Sequence, residues 1–209
     1  THPGMLAQDA DIYLIAVSDK AVEHVAATLP IPEGAAVAHT AGSVPLAAIP
    51  EKFARRAVFY PMQTFTKGRE VDFSVIPVFL ETPSAELRPE LEAFARQLSG
   101  TVIWATSEQR ARVHLAAVFA CNFVNHMYAV GEGIVRSAGL PFDVLKPLLA
   151  ETAAKALDAA SPADVQTGPA VRNDLHTMAC HRALLAADPR LENIYSIISN
   201  NIWETSKKI

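Results

Sequence analysis

Hydrophobic positions divide the chain into two stretches of different period. Up to about residue 105, short apolar runs alternate with amphipathic ones. Residues 12–17, IYLIAV, are continuously apolar, as a strand covered on both faces would be. Ser18 and Asp19 offer a helix N-cap, and residues 21–29 carry a helical pattern closed by Pro30, Pro32 and Gly34. Further strands are predicted over 35–39, 57–60, 75–80 and 101–104, with a helix over 84–98. Pro77 marks the fourth strand as edge or bulged. Strand and helix in alternation predict an α/β sheet unit.

Beyond residue 105 the period becomes helical. Ser107 is placed to cap a helix running to about Ala138, with Gly139 as its stop. From Val113 to Val130 this helix is apolar on nearly every face, which calls for enclosure by other helices or by a second subunit. Further helices are predicted over 147–160 and 172–187, and from Pro189 behind an Asp188 cap. The last carries a stripe of Leu191, Ile194, Tyr195, Ile198 and Ile202. The expected division is a sheet domain over 1–105 and an all-helical domain over 106–209.

Composition narrows the class. Half of the 209 residues are hydrophobic and 19% are charged, which is globular rather than disordered. Eighteen basic against 22 acidic residues, with no Lys/Arg run, leave no polycation for nucleic acid. Two cysteines, Cys121 and Cys180, cannot form a disulfide framework or a Cys-rich zinc site. Reduced, buried thiols and a cytoplasmic compartment are expected of them. The most apolar stretch, 115–133, is interrupted by Asn122, Asn125 and His126, so it reads as a helix enclosed in protein rather than a membrane span.

Candidate chemistry gathers at predicted strand ends, where open α/β sheets bind ligands. Three such ends are polar and small: Val17-Ser18-Asp19, His39-Thr40-Ala41-Gly42-Ser43 and Tyr60-Pro61-Met62-Gln63-Thr64. On the long helix, His114 and Asn122 share a broad face, and an imidazole can serve as acid or base near neutral pH. Lys155, four residues after Glu151, joins them as a candidate catalytic residue. The loop with Gln166 and Thr167, leading to Arg172, is a candidate anion site at a helix start. Asp174 and His181 do not suffice for a metal, and none is expected. No GxGxxG, P-loop, GxSxG or HExxH occurs.

The segments DADIYLIAVSDKAV (9–22), HTAGSVPL (39–46), FYPMQTF (59–65), EQRARVHLAAVFACNFVNHMY (108–128), PLLAETAAKA (147–156) and QTGPAVRND (166–174) together carry a resemblance. The chain resembles a bacterial family with a Rossmann-like domain followed by an all-helical domain. That family is related to deazaflavin-dependent NADP oxidoreductases, pyrroline-5-carboxylate reductase and β-hydroxyacid dehydrogenases. The resemblance implies a 6-phosphogluconate-dehydrogenase-like helical domain and a nicotinamide cofactor, NADP or NAD, over Val17, Ser18, Asp19, Thr40, Ala41 and Gly42. It also implies a small substrate near Tyr60, Met62, Gln63, Gln166, Thr167 and Arg172, and a homodimer through the helical domains.

Tyr60-Pro61-Met62 looks like the His-Pro-Met element of prephenate and related dehydrogenases, with Tyr in place of His. The long helix matches one that carries a catalytic Lys and Asn four apart. Here His114 stands near the Lys position and Val118 fills the slot four residues on, so that mechanism does not carry over. Such families open with a strand, a Gly-rich turn, a helix and a second strand. Residues before Asp9 cannot supply them, so the chain is expected to hold half a dinucleotide site and to bind nucleotide weakly or not at all. The expected function is hydride transfer to or from a small carbonyl, imine or hydroxy compound. The alternative is a non-catalytic small-ligand binding or regulatory protein on the same fold.

Overall fold

A computed structural model describes residues 6–32 and 34–207. The chain divides into two compact units, the first ending at Tyr128 and the second running from Ala129 to Ile209. The division falls inside the long helix, which starts at Ser107.

The first unit is built on five strands in the spatial order of the sequence: β1 (Ile12–Ile15), β2 (Ala36–His39), β3 (Arg56–Pro61), β4 (Val78–Glu81) and β5 (Val102–Trp104). β1, β2 and β3 run parallel, so their carboxyl ends lie on one side. β4 is antiparallel to β3 and parallel to β5, so the sheet is mixed rather than parallel. The reason lies in the connection. Between β3 and β4 only one short 3-10 turn forms, Phe73–Val75, and a parallel return needs a crossover. β4 lies between β3 and β5 and is not an edge strand. Pro77 stands just before it, where no ladder amide is needed, and its carbonyl accepts the Met62 amide at 2.9 Å.

Period-two alternation sets the core. Ala36, Ala38, Ala57 and Phe59 face helix α2 (Leu87–Leu98), which buries Leu87, Leu91 and Ala95 on them. Small alanines at three of those positions let the helix approach closely. The opposite face holds Tyr13, Ile15 and Val37 against Ala26 of α1 (Val22–Thr28) and against Ile49 and Phe53. Ser18 makes no side-chain cap on the turn before α1, contrary to expectation. The nearby Asp19 carboxylate accepts from the Ser43 hydroxyl instead.

The long helix starts one residue earlier in its capping than expected. Thr106, not Ser107, is the cap, and it forms a capping box with Gln109. Helix α3 (Ser107–Ala117) passes through a π-helical turn, Val118–Phe123, into α4 (Val124–Ser137). Gly139, at φ 77°, ends it as expected. By length and composition this 31-residue helix could cross a membrane. None of its most apolar window is buried. Cys121 and Cys180 are both exposed, not buried.

The second unit contains the rest of α4 and helices α5 (Lys146–Asp158), α6 (Leu175–Leu185) and α7 (Pro189–Ser206). Asp188 caps α7 as its sequence implies, accepting from the amides of Arg190 and Leu191. Helix α6 starts three residues later than expected, because Asp174 rather than an earlier residue caps it, through the Thr177 amide at 3.0 Å. These bonds, first the Thr177 amide and then its hydroxyl, hold the Asp174 carboxyl below the usual carboxylate range.

Candidate functional site

The parallel ends of β1, β2 and β3 bring together residues far apart in sequence. After β2 the chain turns through Thr40, Ala41, Gly42 and Ser43, and Ser43 ties this loop to Asp19 after β1. Tyr60 projects from β3 on the face opposite Phe59, packed with Val58 and Phe79. Its hydroxyl lies 3.3 Å from Nδ1 of His114 on α3. Gly42 closes this pair from the loop side. A Cβ there would stand 2.7 Å from Cζ of Tyr60 and 2.8 Å from Nδ1 of His114. No other residue type fits without moving one of the two rings.

Burial first, and then the Asp19 carboxylate, push the Tyr60 phenol up, so it keeps its proton. Its hydroxyl can donate to Nδ1 of His114 or accept from Nδ1–H, according to which ring nitrogen carries the proton. The pair is a two-member relay.

Beneath the loop lies a polar network that the strand and helix patterns did not reveal. Arg110, 1% exposed, pairs with Glu81 at the end of β4 and donates to the Val44 carbonyl. Ser107 donates to the same carboxylate at 2.8 Å and accepts the Leu46 amide at 3.0 Å. This network fastens the 40–46 loop to the start of α3. Arg110 Nε is buried without a partner. His39, fully buried, accepts the Ala41 amide on Nδ1 and donates from Nε2 to the Pro45 carbonyl, both at 3.3 Å. Burial, and then the nearby Arg110 charge, lower it from 6.5 to about 4.

The remaining predicted residues have varied surroundings. Val17, Ser18 and Asp19 are exposed and Thr40 is half-buried, while Ala41 and Gly42 are buried and reachable only through backbone. Met62 packs against the cluster of Val58, Tyr60 and Phe79. Gln63 and Asn122 line one cavity of about 640 Å³ in the first unit. In the second unit Lys155 is exposed and pairs with Glu151 at 3.4 Å. Gln166 lines a cavity of about 190 Å³ with Val171, Asn201 and Thr205. Thr167 and Arg172 are exposed, and because Asp174 caps α6 they do not sit at a free helix start. No cluster of three metal-ligating side chains occurs among the described residues.

The exposed strand ends fit one part of a nicotinamide nucleotide. Val17 and Ser18 offer backbone, and the Asp19 carboxylate can accept from ribose hydroxyls. They do not suit phosphate, because the group presented there is itself an anion.

The family described as a domain of unknown function, DUF2520, matches residues 76–202. No curated protein matches the chain. A candidate NADP oxidoreductase from Bacteroides fragilis, solved as a crystal structure, is 42% identical, with a TM-score of 0.90 over 98% of this chain and 79% of that one. A protein from Thermotoga maritima is 23% identical, with a TM-score of 0.81 over 97% of this chain and 81% of its own. An imine reductase from Myxococcus stipitatus, in complex with NADP+, is 14% identical, with a TM-score of 0.57 over 96% of this chain and 75% of its own. The last two likenesses show the fold alone, a Rossmann-like sheet unit followed by helices. The chain belongs to the DUF2520 family.

Proposed function

We propose that the chain carries the proton-transfer part of an NADP- or NAD-dependent oxidoreductase acting on a small carbonyl, imine or hydroxy compound. The observation that carries this reading is the Tyr60–His114 hydrogen bond set against Gly42, at the carboxyl ends of parallel strands. Val17, Ser18, Asp19 and Thr40 would hold the nicotinamide and its ribose, and the bound cofactor supplies or accepts hydride. His114 moves the proton. In the reducing direction the imidazolium form of His114 gives its Nε2 proton to the substrate oxygen or nitrogen and becomes the neutral ring, whose Nδ1–H donates to the Tyr60 hydroxyl oxygen; solvent restores the proton. Gly42, lacking a side chain, leaves room for the loop backbone to lie against the pair. Exposed free thiols at Cys121 and Cys180 are in keeping with a cytoplasmic setting.

The test is a turnover assay following nicotinamide absorbance over a panel of carbonyls, imines and hydroxy acids. His114→Ala should lower kcat about 100-fold or more, the range of general acid–base catalysis. Tyr60→Phe should lower it less and shift the pH profile. Unchanged kcat in His114→Ala overturns the role of His114. Binding of a small ligand without turnover on any substrate favours the non-catalytic alternative.

A further inference from the structure

We propose that the cavity between the β3–β4 connection and the π-helical turn binds a small zwitterion, carrying one carboxylate and one protonated nitrogen. This deepens the preceding reading by naming a substrate class, and rests on it for the chemistry that follows binding; the cavity wall itself includes neither Tyr60 nor His114. The cavity lies next along both elements that present the relay. Gln63 follows Tyr60 by three residues, and Asn122 lies eight residues beyond His114. Its volume of about 640 Å³ is that of a small-molecule site.

Its polar groups are of two kinds. Some are already engaged: Gln63 Oε1 accepts from the Thr64 amide and hydroxyl, and Asp72 accepts from the Ser74 amide and hydroxyl. Ser74, by its hydroxyl and then its amide, holds the Asp72 carboxyl below the usual range. Others are free. Arg69, Glu70, Asn122 and Asn125 make no side-chain hydrogen bond or ion pair among the described residues, though all four line the cavity. Asp72 Oδ2 also makes no hydrogen bond or ion pair among the described residues, so the wall presents one guanidinium and two carboxylates, Glu70 and Asp72. The guanidinium offers paired donors for a carboxylate, and Glu70 offers an acceptor for a protonated nitrogen. Gln63, Asn122 and Asn125 can add amide donors around the ligand carboxylate. A simple anion would leave both carboxylates unmatched, and a simple amine would leave the guanidinium without a ligand carboxylate.

The π-helical turn is an independent observation. It spans Val118–Phe123 without a Pro or Gly to cause it. Such wide turns are rare and concentrate at functional sites. Here the turn carries Asn122 into the cavity wall, with Asn125 one turn beyond.

The test uses two matched sets of probes on the whole protein. One is L-proline, cyclopentanecarboxylate and pyrrolidine; the other is L-phenylalanine, 3-phenylpropionate and 2-phenylethylamine. Binding is read from the side-chain amide signals of Gln63, Asn122 and Asn125 by NMR. At least one zwitterion should shift these signals, with a Kd tenfold or more below those of its two partial analogues. Arg69→Gln and Glu70→Gln, both exposed and so tolerated by the fold, should each remove that advantage. The proposal is overturned if no zwitterion shifts the three amides, if a partial analogue binds as tightly, or if both variants bind like wild type. These signals do not depend on turnover. A bound zwitterion with no turnover of any compound sinks the oxidoreductase reading and keeps the cavity. Turnover with unaltered KM in both variants does the reverse.

Discussion

His39 ends β2 with its ring fully enclosed, and its two hydrogen bonds satisfy the neutral form only: Nδ1 accepts and Nε2 donates. Its folded-state pKa of about 4 lies below the unfolded value of 6.5. Between those values the unfolded chain binds the extra proton, so stability falls as pH falls through that window and is fully present above it. The span corresponds to a loss on the order of 3 kcal/mol. Urea denaturation of the wild type should show this decline from pH 6.5 to 4, and His39→Gln should flatten it. An equal slope in the variant would place the acid sensitivity elsewhere. At this scale the sequence was only partly legible. The pattern marks His39, Gly42 and Tyr60 alike as members of polar strand ends, but not that the His39 ring is enclosed or that Gly42 and Tyr60 lie against His114.

At the scale of elements, Arg110 decides how α3 meets the sheet. Its guanidinium is withdrawn from water and balanced by Glu81; the Val44 carbonyl and Ser107 hydroxyl accept from it as well, while Nε keeps no partner. Glu81→Gln would leave a buried cation without its counter-charge, a change that typically costs about 3–5 kcal/mol. Because glutamine can still accept a hydrogen bond, we expect the lower end. Denaturant midpoints should fall accordingly, and the Leu46 amide, held by Ser107, should exchange faster with solvent. An unchanged midpoint would mean that the loop does not depend on this pair. Nothing in the helical pattern marks Arg110 as different from Arg112, which is exposed and pairs with Glu108 one turn away. The Glu81 partner comes from a strand 29 residues earlier.

For the whole molecule, the long helix sets the question of assembly. Leu115, Phe119 and Phe123 are 57%, 62% and 48% exposed, and the two phenyl rings pack on each other 4.9 Å apart. A contiguous apolar face of this kind is uncommon on a soluble monomer. We expect a homodimer whose interface draws on residues 113–135 and the stripe from Leu191 to Ile202. It should bury on the order of 2,000 Å² in total. Light scattering at micromolar concentration should give twice the chain mass, and the double variant Phe119→Asp, Phe123→Asp should give the monomer or an aggregate. A monomeric wild type would end this expectation.

Local pattern alone was enough for the elements. Continuous apolar runs, Asp188 before Pro189, and Gly139 after α4 act through nearest neighbours, so strands and helices could be read within a few residues of their places. Pro77 shows the limit of that reading, because its restriction is local but whether it lies at an edge depends on which strands pair. Tertiary structure decided the antiparallel turn between β3 and β4 and the placing of Gly42 against Tyr60 and His114. It also decided the burial of Arg110 and the π-helical turn at Asn122. The strand pairing, the Gly42 contact and the Arg110 burial depend on residues far apart in sequence, and such contacts leave no periodic trace along the chain.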